Sequence, residues 1–187
     1  YQVSGDGSES RVVSTMASMM ERVARQVDLA AGAKLRGYSP YQILIIASLI
    51  EREAKVAADR PKIAQVIYNR LAAKMPLEID AAVKYGQDPA MSWTDMKATD
   101  TPYNTYINKG LPPTPIANPG KASIQAALAP FGSPPASDQA CTGLPAGVKC
   151  EYLYYVLADE AGGHVFATTY EQHLVNVEKS KTAGLLP

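Results

Sequence analysis

The side chains best placed for chemistry in this chain are carboxylates. Glu51 follows an eight-residue run, Ile43 to Ile50, that is apolar but for Ser48. A carboxylate at the end of such a run is partly desolvated, which favours its protonated form. A group of that kind serves as a general acid near neutral pH. The plainer reading is a helix-end carboxylate paired with Arg52, Arg60 or Arg70. Glu53 competes for the same role, but residues 51 and 53 point about 200° apart on a helix. Glu51 shares its face with Leu44, Ala47 and Ser48, where small residues leave room for a ligand and Ser48 can bond the carboxyl. Glu53 then reads as a structural ion-pair residue. Glu78 and Asp80 are further acids. Asp80 reads equally well as a helix cap or as the second acid that a two-carboxylate glycosidase needs.

Eleven tyrosines stand against two Phe and one Trp. A tyrosine offers a flat apolar face and a hydroxyl, which suits sugar rings. Tyr103, Asn104 and Tyr106 lie in a segment, Asp100 to Gly120, that holds five prolines, and they are candidates to line a glycan groove. A segment of that length without regular structure is usually functional or disordered, and its aromatic content favours an ordered wall. His164, beside a Gly-Gly turn, either contacts substrate or caps the turn. No phosphate loop, nucleophile elbow or metal-ligand cluster is present, so no cofactor and no metal are expected. Cys141 and Cys150 lie in a Pro-, Gly- and Ser-rich loop. A local disulfide is the simplest reading, and it implies an oxidising compartment; two free surface thiols are the alternative.

The elements that must position these groups follow from periodicity and punctuation. Ser8 or Ser10 caps a helix whose Val12, Val13, Met16, Met19, Met20, Val23 and Val27 form a stripe read as core, with the helix ending near Gly32 or Gly37. Ser39-Pro40-Tyr41-Gln42 combines an N-cap, Pro at N1 and Gln at N3. The helix after it is apolar all round and should be central and buried. Asp59 caps a third helix with Ile63, Val66, Ile67 and Leu71 inward. Asp80 and Ser92 cap short turns, and Lys121 to Ala129 forms a short helix. Tyr152 to Leu157 and His164 to Thr168 read as a hairpin, and Thr169 caps a last helix to about Lys181. Helices dominate and the strands pair locally, so the fold class is α+β, a single helix-rich domain.

The 187 residues carry 18 basic and 18 acidic side chains. Zero net charge argues against a nucleic-acid partner. The longest apolar run is too short to cross a bilayer, and no signal-peptide pattern opens the chain.

Several segments, in order, resemble one family. Ala47-Ser48-Leu49-Ile50-Glu51-Arg52-Glu53 is similar to the Ala-Ser-Ile-Ile-Glu-Lys-Glu segment of the endolytic murein transglycosylases, the MltG/YceG-like family. Val66-Ile67-Tyr68-Asn69-Arg70-Leu71, Met75-Pro76-Leu77-Glu78-Ile79-Asp80, Val83-Lys84-Tyr85-Gly86, Tyr103-Asn104-Thr105-Tyr106 and the Gly110 to Gly120 stretch continue the likeness. Tyr152 to Val156, His164, Phe166 and His173 complete it. Glu78-Ile79 stands where the family has Gln-Thr, and the Phe131 to Cys150 loop looks like an insertion.

The resemblance implies a lyase that cuts the β-1,4 bond after N-acetylmuramic acid within peptidoglycan strands, without water, leaving 1,6-anhydro ends. It implies that Glu51 donates a proton and then takes one back. Ser48, Asn69, Asp80, Tyr103, Asn104, Tyr106 and His164 are the expected substrate contacts. A muramidase-type hydrolase using Glu51 with Asp80 or Glu78, or a non-catalytic peptidoglycan-binding module, are the alternatives. The family further implies an N-terminal membrane helix and a LysM-like subdomain outside residues 1–187, which would be the catalytic domain. It also implies location on the extracytoplasmic face of the inner membrane, with penicillin-binding proteins or the elongation or division machinery as partners.

Overall fold

A computed structural model describes residues 8–186. The fold is α+β as the patterning predicts: eight α-helices and one two-stranded sheet among the described residues. Helix α3 (Pro40–Glu53) is its axis. Ser39 Oγ accepts from the Gln42 N–H, and the Gln42 side chain accepts from the Ser39 N–H, which closes a full capping box around Pro40. Ile43, Ile46, Ala47, Leu49 and Ile50 are each wholly buried. Around α3 pack α2 (Leu29–Arg36), α4 (Arg60–Ala72), α5 (Asp80–Lys84) and α7 (Lys121–Leu128). Helix α6 (Trp93–Ala98) leans on α5, with Ser92 as its cap.

The hairpin pairs β1 (Tyr154–Leu157) antiparallel to β2 (His164–Ala167), Tyr154 facing Ala167 and Leu157 facing His164. Helix α8 (Tyr170–Thr182) covers it, and Thr169 and Gln172 close a second capping box. The Cys141–Cys150 disulfide forms, with the Cα atoms 5.1 Å apart. It closes the loop that precedes β1.

The N-terminal expectation changes in two ways. The single helix is two: α1 (Glu9–Gln26) stops, Asp28 takes a left-handed backbone at φ 49°, and α2 starts afresh. The methionine stripe is not core, because no residue of α1 is buried. Met20, Val23, Ala24 and Val27 touch the core, whereas Val13 and Met16 are exposed. Helical periodicity reports a face, but only packing decides what covers it. Two caps also differ. Asp59 precedes α4 without capping it, and Asp80 is the first residue of α5 rather than its cap.

Truncating Ile46 to Ala should therefore cost roughly 2–5 kcal/mol by urea denaturation, because α3 cannot collapse into the void. Val13→Ala should stay within about 0.5 kcal/mol.

Candidate active site

Four elements meet at one open cleft of about 280 Å³. The C-terminal end of α3 supplies Glu53, α4 supplies Arg70, the 77–80 segment supplies Glu78 and Asp80, and the hairpin with α8 supplies Tyr155 and His173. Tyr106 closes the rim. Arg70 is only 6% exposed in a helix whose inner face is otherwise apolar. Its Nε donates to the Leu153 carbonyl at 2.7 Å. Its Nη1 donates to the carbonyls of Pro76 and Leu77 and to Glu78 Oε2, the last at 2.8 Å. One guanidinium thus fixes both walls of the cleft, as its planar set of donors allows.

The 78–80 corner is held from a second side. Glu78 has φ 54°, the left-handed region that a non-glycine residue rarely adopts. Its N–H donates to the Thr105 carbonyl, and the Ile79 N–H donates to Thr105 Oγ1. Thr105 is buried. Its neighbour Tyr106 is thereby brought over α5, where its hydroxyl donates to Asp80 Oδ1 at 2.7 Å. Local backbone strain held by surrounding bonds is a feature of functional sites.

The protonation states follow from burial. Glu53 accepts from the Tyr155 hydroxyl at 3.0 Å. Burial pushes its carboxyl above the ordinary 4.5, and the negative charge of Asp80 pushes the same way. The Tyr155 hydroxyl, His164 and the Ala81 backbone amide oppose the shift. Tyr155 is raised well above 10.0 by burial and then by the charge of Glu53, so it stays a neutral donor. Burial, with Asp80 beside it, does the same for Tyr106. His173 is lowered from 6.5 by burial and by the Arg70 charge, with Glu78 opposing, so it is neutral at pH 7. Its Nδ1 is buried with no hydrogen-bond partner among the described residues.

Of the residues singled out from the sequence as candidates for the site, the cleft brings together Glu78, Asp80 and Tyr106. Glu51 lies elsewhere, as the 200° separation requires. Its Oε2 accepts from Ser123 Oγ at 2.6 Å and from the Gly120 N–H at 3.2 Å. These groups form the start of α7, so Glu51 ties α3 to that helix. Ser48 is buried and bonds not to Glu51 but to the Ile45 carbonyl and the Ile116 N–H. Asn69 Nδ2 donates to the Tyr152 carbonyl. Asn104 is wholly buried, and its amide group donates to the carbonyls of Lys97 and Thr99. Tyr103 donates or accepts at Thr114 Oγ1 and packs on Tyr85. His164 turns inward: Asp59 Oδ2 accepts its N–H at 2.8 Å and lies 3.0 Å from its Nδ1. Ser48, Asn69, Asn104 and His164 therefore hold the frame and do not reach the cleft.

Sequence reasoning missed Glu53, Arg70, Tyr155 and His173 as cleft residues. It read Glu53 as an ion-pair residue, and the structure gives it a tyrosine hydroxyl instead. A signal existed for Arg70, which occupies the inward side of α4 beside Ile63, Val66 and Ile67.

Comparison with known proteins places this architecture. The sequence profile of the YceG-like family matches residues 1–179. The chain belongs to the YceG-like family. It is 42% identical over 144 residues to a Bacillus subtilis (strain 168) protein named endolytic murein transglycosylase. That match covers 75% of this chain and 35% of the relative. A Streptococcus pneumoniae (D39) protein of the same name is 32% identical over 159 residues, covering 81% of this chain and 26% of its own. A crystal structure of a yceG-like protein from Listeria monocytogenes superposes with a TM-score of 0.75 at 32% identity. It covers 94% of this chain and 52% of that one. This YceG-like chain spans about a third of its curated relatives or less.

The raised pKa of Glu53 carries a stability consequence of fixed sign. Its folded-state pKa lies above the unfolded 4.5, so the folded chain holds the proton more tightly. The stability this gives is fully present below 4.5 and is lost as pH rises through the folded value. Glu53→Gln escapes that loss. Its melting temperature should climb relative to wild type as pH rises from 4 to 8, measured by differential scanning calorimetry.

Proposed function

We propose that this chain is the catalytic part of a lytic transglycosylase that cuts the MurNAc-GlcNAc β-1,4 bond inside peptidoglycan strands. What supports the reading is the Glu53 carboxyl, held in the cleft with its proton-bearing form favoured, next to Asp80. The printed names of the relatives point to the same chemistry.

In this mechanism Glu53 donates its proton to the glycosidic oxygen as the C1–O bond breaks. The sugar left behind develops positive charge at C1, which Asp80 is placed to stabilise. The muramic C6 hydroxyl then attacks C1 and gives its proton to the Glu53 carboxylate. The products are a new GlcNAc hydroxyl end and a 1,6-anhydro-MurNAc end, with Glu53 again protonated. The internal hydroxyl outcompetes water because it is already held close to C1. Tyr155 keeps Glu53 in place as it changes charge, and Tyr106 does the same for Asp80. In this proposal Glu53, which lines the cleft, takes the role that the motif suggests for Glu51, which is bonded to Ser123 and Gly120 and is not among the cleft's lining residues.

One observation favours a second reading. Three carboxylates, Glu53, Glu78 and Asp80, line the same cleft. With Asp80 as a base for water, the protein would be a muramidase-type hydrolase. Either activity belongs on the extracytoplasmic side of the plasma membrane, where glycan strands lie, and the Cys141–Cys150 disulfide suits that oxidising side. Membrane anchoring and a penicillin-binding protein partner in the longer protein are parts of the same proposal.

Purified peptide-bearing glycan strands digested by wild type should yield anhydro-muramic ends by mass spectrometry. Glu53→Gln should lower the rate about 100-fold or more, since it cannot cycle a proton. Glu51→Gln should still cut. Hydrated reducing ends would establish the hydrolase instead. Cutting by Glu53→Gln but not by Glu51→Gln would return the proton to Glu51.

A further inference from the structure

A second pocket opens one ring away from the cleft. It measures about 350 Å³ and is lined by Lys84, Gln87, Pro89, Met91, Trp93 and Met96. Its link to the cleft is direct. The Trp93 ring meets the Tyr106 ring edge-on at 6.2 Å, and the Tyr106 hydroxyl bonds Asp80. Lys84 lies on the same five-residue helix as Asp80.

The chemistry of this pocket is the reverse of the cleft's. Two ammonium groups stand over its indole, Lys84 Nζ at 5.2 Å and Lys97 Nζ at 5.7 Å from the ring centre. Lys97 Nζ also lies 4.1 Å from the centre of the Tyr106 ring. Neither lysine forms an ion pair among the described residues. The nearby acids are engaged with the backbone or a cap: Asp95 accepts from Ser92 Oγ, and Asp88 accepts from the Ala90 N–H. Below the charges the lining is apolar, with Met96 buried. One polar group is set into the wall. Gln87 Nε2 is fixed by donating to the carbonyls of Val83 and Met96, and Gln87 Oε1 is left without a partner.

The cleft itself cannot hold an anionic chain. It presents Glu53, Glu78 and Asp80, and Arg70, the cation lining it, is already bonded to Glu78. Peptidoglycan carries such a chain: each muramic sugar bears, on its lactyl group, a short peptide with alanine methyls, amide N–H groups and free carboxylates. Repulsion steers that peptide away from the acids and toward the unpaired lysines. We propose that the Lys84, Lys97 and Trp93 pocket binds the acidic peptide of the muramic sugar whose bond is presented to Glu53. The proposal rests on the peptidoglycan reading above. The lysines take the carboxylates, and the Met91 and Met96 surface takes the methyls.

Trp93 is the chain's one tryptophan, so its fluorescence reports this pocket directly. Three probes are titrated into the wild-type chain: MurNAc, MurNAc bearing its five-residue peptide, and the same compound with its carboxylates amidated. None has a glycosidic bond to cut, so binding is read apart from catalysis. The peptide-bearing sugar should give a saturable change that weakens with added salt. MurNAc and the amidated compound should give little. Lys84→Gln with Lys97→Gln, shown folded by circular dichroism, should weaken binding about tenfold or more. An equal response to MurNAc or to the amidated compound would overturn the proposal, as would no response to any probe. If the double variant does not fold, the amidated probe still decides. A chain that cuts strands but gives no indole response loses only this site. A chain that binds the peptide but cuts nothing keeps the site and loses the lytic reading.

Discussion

The cleft depends on one buried guanidinium. Arg70 reaches from α4 to a carbonyl before β1, to two carbonyls of the 76–77 segment and to Glu78. It also lies under Tyr154, 5.0 Å from the ring centre. Removing such a group would strand several acceptors in a place water hardly reaches, which makes it far more costly than an exposed ion pair. Its positive charge also shapes the site: it adds to the burial that lowers His173, and it compensates Glu78.

On that frame, the acids divide by surroundings. Glu78 has the guanidinium as partner and Asp80 has the Tyr106 hydroxyl. Glu53 has burial and a nearby negative charge, set against the Tyr155 hydroxyl, His164 and the Ala81 amide, and its carboxyl is raised above 4.5. The left-handed backbone of Glu78 turns the chain so that Asp80 arrives at the start of α5 facing the end of α3.

Much of the frame was legible in the residues, because it is written in local signals. The Ser39-Pro40-Gln42 start, the apolar run of α3, the hairpin about Gly162-Gly163 and the Thr169 cap each rest on contacts within a few positions. Which of the two glutamates lines the cleft was not a local matter. Both Glu51 and Glu53 end the same helix, and the sequence shows that they diverge but not which side meets a second carboxylate. That depends on Thr105 pinning Ile79 across 26 positions and on Tyr155 reaching Glu53 across 102. The same limit explains Asn104 and His164. Polar residues in a Pro-rich loop or beside a glycine turn look available until the carbonyls and carboxylate that consume them are seen.

The central claim is that Glu53 is a proton carrier created by its surroundings, and it can be read without substrate. Carbon-detected NMR would follow the glutamate side-chain carboxyls through a pH titration, with Glu53 assigned from the signal missing in Glu53→Gln. Glu53 should titrate above 4.5 in the wild type, and its midpoint should fall in Asp80→Asn, where the neighbouring charge is gone. A Glu53 midpoint at or below 4.5, unmoved by Asp80→Asn, would contradict the account.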